Sequence, residues 1–144
     1  MKTLLIGHRG VAGKYPENTK VSVQAAIDMG LTWVETDVQP TKDNVLVVCH
    51  DYTVNRCSNG KGRIDQMTLA ELKALDFGRW FSNEFANESI MTLTELLELA
   101  AANDLNLNIE VKVDHHSAED VAKMVTHTLL VGPLAKEHIL LSSF

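Results

Sequence analysis

Apolar and polar positions along the chain follow two periods, and the switches between them mark the elements. Residues 3–7, TLLIG, form a short apolar run that reads as a buried strand. The stretch PENTKVSVQAAIDMG then places Val23, Ala26 and Ile27 at helical spacing. Asn18 or Thr19 can cap this helix, and Gly30 stands where helices commonly end. Strands are expected at about 32–39 and 44–49, separated by the turn-like PTKDN. Thr92 and Glu95 have capping-box spacing ahead of LLELAAAN, which predicts a second helix. LNIEVKV (107–113) reads as a strand. SAEDVAKMVTHTLL reads as a helix opened by Ser117 and Asp120, with Val121, Met124 and Val125 on one face. HILLSS (138–143) is a fifth strand. Strands alternating with amphipathic helices predict an α/β fold with a parallel sheet.

One connection does not fit the short loops of such units, which usually run ~2–6 residues. Asp51–Met91 is 41 residues long and holds Tyr52, Phe77, Trp80, Phe81 and Phe85, five of the eight aromatics. It also contains a short helix expected at 69–75, capped by Thr68 with Glu71. Such a segment is expected to be a structured insertion.

Composition narrows the function class more than the fold. A net charge of −6 argues against a general nucleic-acid binder, which needs a basic face against phosphates. The apolar stretch at the N-terminus is three residues long, too short for a signal peptide core or a membrane span. A cytoplasmic protein without stable membrane insertion is therefore expected. Two cysteines do not make a disulfide scaffold, and Cys49, inside NVLVVCH, reads as a buried reduced thiol.

The chemistry lies where polar groups interrupt the strands. In VETDVQP, Glu35 and Asp37 share one strand face while Val34, Thr36 and Val38 share the other. Glu110 and Lys112 repeat the spacing in LNIEVKV, His8-Arg9 ends the first strand, and His50-Asp51 ends the third. In parallel α/β folds the carboxyl ends of the strands share one rim, where active sites sit. Taken singly, Glu35 and Asp37 also suit the wet face of an edge strand, and Glu17 a first-turn helix charge. Together the residues predict a rim site with Glu35, Asp37 and Glu110 around a hard divalent cation, Mg²⁺ or Ca²⁺. Arg9 and Lys112 would grip an anionic substrate, most simply a phosphate, and His8 and His50 would serve as acid and base. His115, His116, His127 and His138 fall outside the pattern and read as surface or packing residues.

The motifs GHRG, PENT, VETDVQPTKDNVLVVCHD, NRCSNGKG, LTELLELA, LNIEVK and LLSSF, in this order, resemble the glycerophosphodiester phosphodiesterase family over nearly the whole chain. The resemblance implies a TIM (β/α)8 barrel with a small insertion after strand three, at about 51–91 of a single domain spanning 1–144. It implies hydrolysis of small glycerophosphodiesters to glycerol 3-phosphate and an alcohol. It also implies Glu35, Asp37 and Glu110 as metal ligands, His8 and His50 as the acid–base pair, Arg9 and Lys112 as phosphate contacts, and Glu17 as an acid supporting the substrate site. Cys57 stands where the family usually has threonine, and Met91 where proline is common. The alternatives are a sphingomyelinase-D-like or phospholipase-C-like lipid phosphodiesterase, and a non-catalytic barrel fragment that binds metal or phosphate. Homo-oligomer formation is compatible with the sequence. A TIM barrel has eight strands and about 250 residues, whereas five strands are expected here. The 144 residues are thus expected to be the N-terminal part of a longer enzyme.

Overall fold

In chain order the elements are β1 (Gly7–His8), α1 (Lys20–Asp28), β2 (Trp33–Pro40), β3 (Leu46–Val48), α2 (Leu69–Lys73), α3 (Leu93–Ala102), β4 (Asn106–Val111), α4 (Ala118–Val131) and β5 (Ile139–Ser142). They belong to a computed structural model in which residues 3–144 are described. The sheet runs β1-β2-β4-β5 in parallel, and β3 pairs separately with β2.

The expected caps are in place. Thr92 and Thr68 each accept from the backbone N–H of the glutamate three residues on, Glu95 and Glu71, whose carboxylates accept from the cap N–H in return. Ser117 Oγ accepts from the Asp120 N–H at the start of α4. Thr19, rather than Asn18, caps α1, which leaves the Asn18 side chain free for the site. Gly30 takes the left-handed conformation that follows a helix end, at φ +80°.

The alternation along β2 is realised as two chemically different faces. Val34 and Val38 are fully buried and pack with Leu107 and Ile109 of β4 against α1, α3 and α4, which supply Val23, Ala26, Leu93, Leu96, Leu97, Ala100, Val121 and Val125. A sheet face covered by three helices accounts for most of the apolar burial that holds the fold together. Glu35 and Asp37 occupy the opposite face.

Two strand expectations are corrected. The segment 44–49 forms β3, but antiparallel to β2, with Val38 opposite Val48 and Pro40 opposite Leu46. Only five residues join β2 to β3, closed by the bond from Thr41 N–H to the Val45 carbonyl; Asn44 is left-handed at φ +60°. So short a link can make a hairpin, whereas a parallel crossover needs about a dozen residues or more. Residues 3–7 are not a buried strand: only Gly7–His8 pairs, and Leu4, Leu5 and Ile6 are exposed. Among the described residues β1 has β2 as its single neighbour, so its other edge and the apolar residues before it lie open.

The insertion has its own core. Val47 of β3 and Cys49 just after it pack with Val54, Cys57, Ile64, Leu72, Phe77 and Ile90. Both cysteines are free and buried, and burial pushes the Cys57 thiol up to about 12. The Asp76 carboxylate organises the far loop by accepting from the N–H groups of Gly78, Arg79 and Asn87. At Gly78 an added Cβ would lie 1.8 Å from the Phe85 carbonyl oxygen, a clash with backbone that rotamer changes cannot relieve. Gly78→Ala should therefore destabilise the chain by roughly 1–3 kcal/mol in denaturant unfolding. An unchanged midpoint would contradict this close approach of 78 to 85.

Candidate active site

The register of the parallel strands assembles the acidic centre. Asp37 pairs with Glu110, Glu35 with Asn108, and His8 with Glu35. Paired residues on neighbouring strands project from the same face, so His8, Glu35, Asp37 and Glu110 converge. Glu35, Asp37 and Glu110 each bring a carboxylate oxygen within 4.8 Å of the others.

Two cations and an amide offset this charge. Arg9 Nε lies 3.4 Å from Asp37 Oδ2, and Lys112 Nζ lies 3.8 Å from Asp37 Oδ1 and 3.0 Å from Glu110 Oε1. Asn18 Nδ2 donates to Asp37 Oδ2 at 3.0 Å. Lys112 is just past β4 but continues the ladder, its N–H donating to the Val38 carbonyl.

Arg9 reaches inward because the chain turns sharply after β1, with Arg9 at φ +53° and Gly10 at φ +85°. Its N–H donates to the carbonyl and to Oε2 of Glu35, at 2.8 and 3.2 Å. A side chain at Gly10 would strike the Ser22 backbone at 2.6 Å, so this turn requires glycine against α1. Even so, the compensation at the acidic centre is incomplete. Burial, and then the charge of Asp37, push the Glu35 carboxyl up to about 7, against the pull of the Arg9 N–H and charge. Three clustered oxygen donors, one of them reluctant to ionise alone, are the donor set that a hard divalent cation satisfies.

The two histidines stand on either side of a continuous polar network. His8 Nε2 is 3.6 Å from Glu35 Oε2, and the His8 side chain is exposed. His50 follows β3, and its Nδ1 is 2.8 Å from Asp51 Oδ1. The Arg56 guanidinium, and after it His50, hold the Asp51 carboxyl down at about 2. With Asp51 ionised, Nδ1 of His50 carries the hydrogen and Nε2 is left for chemistry. Glu17 joins the two halves, accepting from Arg9 Nη1 at 2.8 Å and from Arg56 at 2.6 and 3.0 Å. Burial raises the Glu17 carboxyl, but bonds from Arg56 and the charge of Arg9 outweigh it and hold the pKa below its ordinary value.

The structure thus gathers Glu35, Asp37, Glu110, Arg9, Lys112, Glu17 and His8 around one centre. His50 joins them through Asp51 and Arg56 rather than by direct contact. Asn18 and Arg56 are the site residues that sequence reasoning passed over. Asn18 read as a helix cap, and Arg56, with no strand beneath it, carried no spacing signal. The other histidines lie elsewhere: His115 faces Asp65 and Asp114, His138 bonds Asn106, and His127 is exposed.

Comparison with known proteins gives the arrangement a family. The model of the glycerophosphoryl diester phosphodiesterase family matches residues 8–134. A glycerophosphodiester phosphodiesterase of Caldanaerobacter subterraneus subsp. tengcongensis is 48% identical over 112 residues, covering 78% of this chain and 46% of the relative. One from Bacillus altitudinis is 35% identical across 99% of this chain and 58% of its own length. A phosphodiesterase of Oleispira antarctica, solved in complex with the product sn-glycerol-3-phosphate, superposes with a TM-score of 0.93 at 36% identity over 99% of this chain and 57% of that one. The chain spans about half the length of these relatives. Its parallel strands and flanking helices match the (β/α)8 barrel of that family. With its acidic centre on the shared polar face of β2 and β4 and the family match running through it, this chain belongs to the glycerophosphoryl diester phosphodiesterase family.

Proposed function

We propose that this chain carries the phosphodiester-cleaving site of an enzyme that hydrolyses glycerophosphodiesters to glycerol 3-phosphate and an alcohol. The observation that carries the reading is the convergence of three carboxylates, two cations and a histidine on one rim, with a second histidine linked to them. The product named for the Oleispira antarctica relative supports the glycerol 3-phosphate half of the substrate.

Arg9 and Lys112 bind and orient the phosphate, since both point into the acidic centre and have charge to share. A divalent cation, Mg²⁺ or Ca²⁺, held by Glu35, Asp37 and Glu110 would stabilise the negative charge that develops on the phosphoryl oxygens. One imidazole takes a proton from the nucleophile, a water or the glycerol 2-hydroxyl, whose oxygen bonds to phosphorus as the bond to the alcohol breaks; after attack by the 2-hydroxyl, a water opens the cyclic phosphate to glycerol 3-phosphate. The other imidazole protonates the departing alkoxide. Glu17 and Asp51 hold Arg9 and His50 in place for these steps. No helix among the described residues is long and apolar enough to cross a membrane.

Turnover of glycerophosphocholine, abolished by excess EDTA, is the expected outcome of the direct assay; undiminished turnover in EDTA would sink the metal assignment. His8→Ala and His50→Ala should each reduce kcat by about 10²–10⁴-fold with folding retained, because both side chains are partly or largely exposed. Loss below tenfold in both would remove the histidines from the chemistry.

The cation should also announce itself through stability. Glu35 is raised in the folded state, so its contribution is complete below the ordinary value of 4.5 and fades as pH rises through about 7. A bound cation needs the ionised form and reverses that sign. The increase in Tm on adding Ca²⁺ or Mg²⁺ should therefore be larger at pH 8 than at pH 5.5, and smaller in Asp37→Asn. An equal increase at both pH values would show that the cation binds elsewhere.

A further inference from the structure

Arg56 lies on the insertion, in NRCSNGKG, yet four of its five N–H groups are spent on the rim of the barrel. Nε and Nη2 donate to the two oxygens of Asp51 at 2.9 and 3.0 Å, and Nη1 and Nη2 donate to the two oxygens of Glu17 at 2.6 and 3.0 Å. Each carboxylate is itself committed to a second partner. Asp51 Oδ1 is 2.8 Å from His50 Nδ1, and Glu17 Oε2 is 2.8 Å from Arg9 Nη1. One face of the guanidinium rests over the Trp80 ring, 5.9 Å from its centroid, and the Trp80 Nε1–H is tied to the Phe77 carbonyl. The insertion therefore sets where this guanidinium stands.

We propose that Arg56 is a positioning residue for the reaction: its double fork fixes the tautomer of His50 through Asp51 and the placement of Arg9 through Glu17. The inference rests on the hydrolytic reading given above. The chemistry requires arginine. A lysine is a single point charge and cannot present two parallel pairs of donors to two carboxylates at once. Without the fork, Asp51 has one neighbour left and is free to rotate into solvent. His50 then loses the acceptor that keeps the hydrogen on Nδ1, and its catalytic nitrogen is no longer reserved. Glu17, half released, holds Arg9 less firmly, so both the proton-transfer residue and the phosphate contact are affected by one side chain that hydrogen-bonds neither of them.

The test combines ring-nitrogen NMR of the ¹⁵N-labelled chain with kinetics on glycerophosphocholine. At a pH where His50 is neutral, the wild type should show Nδ1 protonated and Nε2 unprotonated. In Arg56→Met the two forms should mix as in an unrestrained imidazole, with amide shifts beyond the rim unchanged. Arg56→Lys should behave like the methionine variant, and it provides the same comparison if methionine prevents folding. Turnover in both variants should fall by about 10–100-fold, with KM raised as well as kcat lowered. A His50 tautomer that is unchanged in both variants overturns the proposal, as does full recovery by lysine. A wild-type chain with the expected tautomer but no turnover counts against the hydrolytic reading instead, and the tautomer comparison still decides the role of Arg56.

Discussion

Three carboxylates brought together on adjacent strands set the terms for the rest of this molecule. Asp37 and Glu110 are paired in register, with Glu35 two residues away on the same face. Like charges at such separations repel, and the low-dielectric surroundings of Asp37 make that repulsion stronger than it would be in water. The fold answers with Arg9, Lys112 and the Asn18 amide, each aimed at Asp37. Burial first, and then the charge of Asp37, keep the Glu35 carboxyl raised to about 7 in spite of the Arg9 N–H and charge. A centre that is electrostatically unfinished is also a centre ready for a cation.

Several local features make sense only in service of that centre. The left-handed turn at Arg9-Gly10 swings a guanidinium back over the strand it has just left. Asn18 is also left-handed, at φ +57°, which frees its side chain from helix capping and turns the task over to Thr19. Such backbone conformations cost energy in non-glycine residues and persist where surrounding contacts over-determine them. Here the contacts are hydrogen bonds from Asn18 N–H and Ser22 Oγ to the Arg9 carbonyl. The apolar face of β2 supplies the stability that lets its polar face be used for chemistry.

The insertion divides the labour differently. Its small core around Ile64, Leu72 and Phe77 depends on residues from β3, so the hairpin that departs from the parallel sheet is what carries the insertion to the rim. His50 and Asp51 follow directly from that hairpin, and Arg56 returns from the insertion to grip Asp51. The clustered carboxylates thus stand on strands, where positions are rigid, while Arg9, Lys112, His50 and Asp51 stand on the segments just beyond them.

Much of this was legible in the residues themselves. The capping pairs Thr68/Glu71 and Thr92/Glu95, the apolar stripes of α1 and α4, and the i, i+2 spacing of Glu35 and Asp37 are local rules with local causes, and each appears as read. The short link 41–45 also held the direction of β3, because five residues can close a hairpin but cannot cross a sheet; the alternation with helices hid that signal. Other features have no local cause. The pairing of Asp37 with Glu110 spans 73 positions and depends on how β4 slides along β2. The solvent exposure of Leu4, Leu5 and Ile6 depends on which strand lies beyond β1. Asn18 became a site residue because Thr19 took the cap, and Arg56 because the insertion's aromatics hold it within reach of two carboxylates. Propensity and periodicity act over a few residues, so the sequence determined the elements and the chemical character of their faces. Register and long-range charge compensation act between segments far apart in the chain, so only the tertiary structure decided which side chains meet.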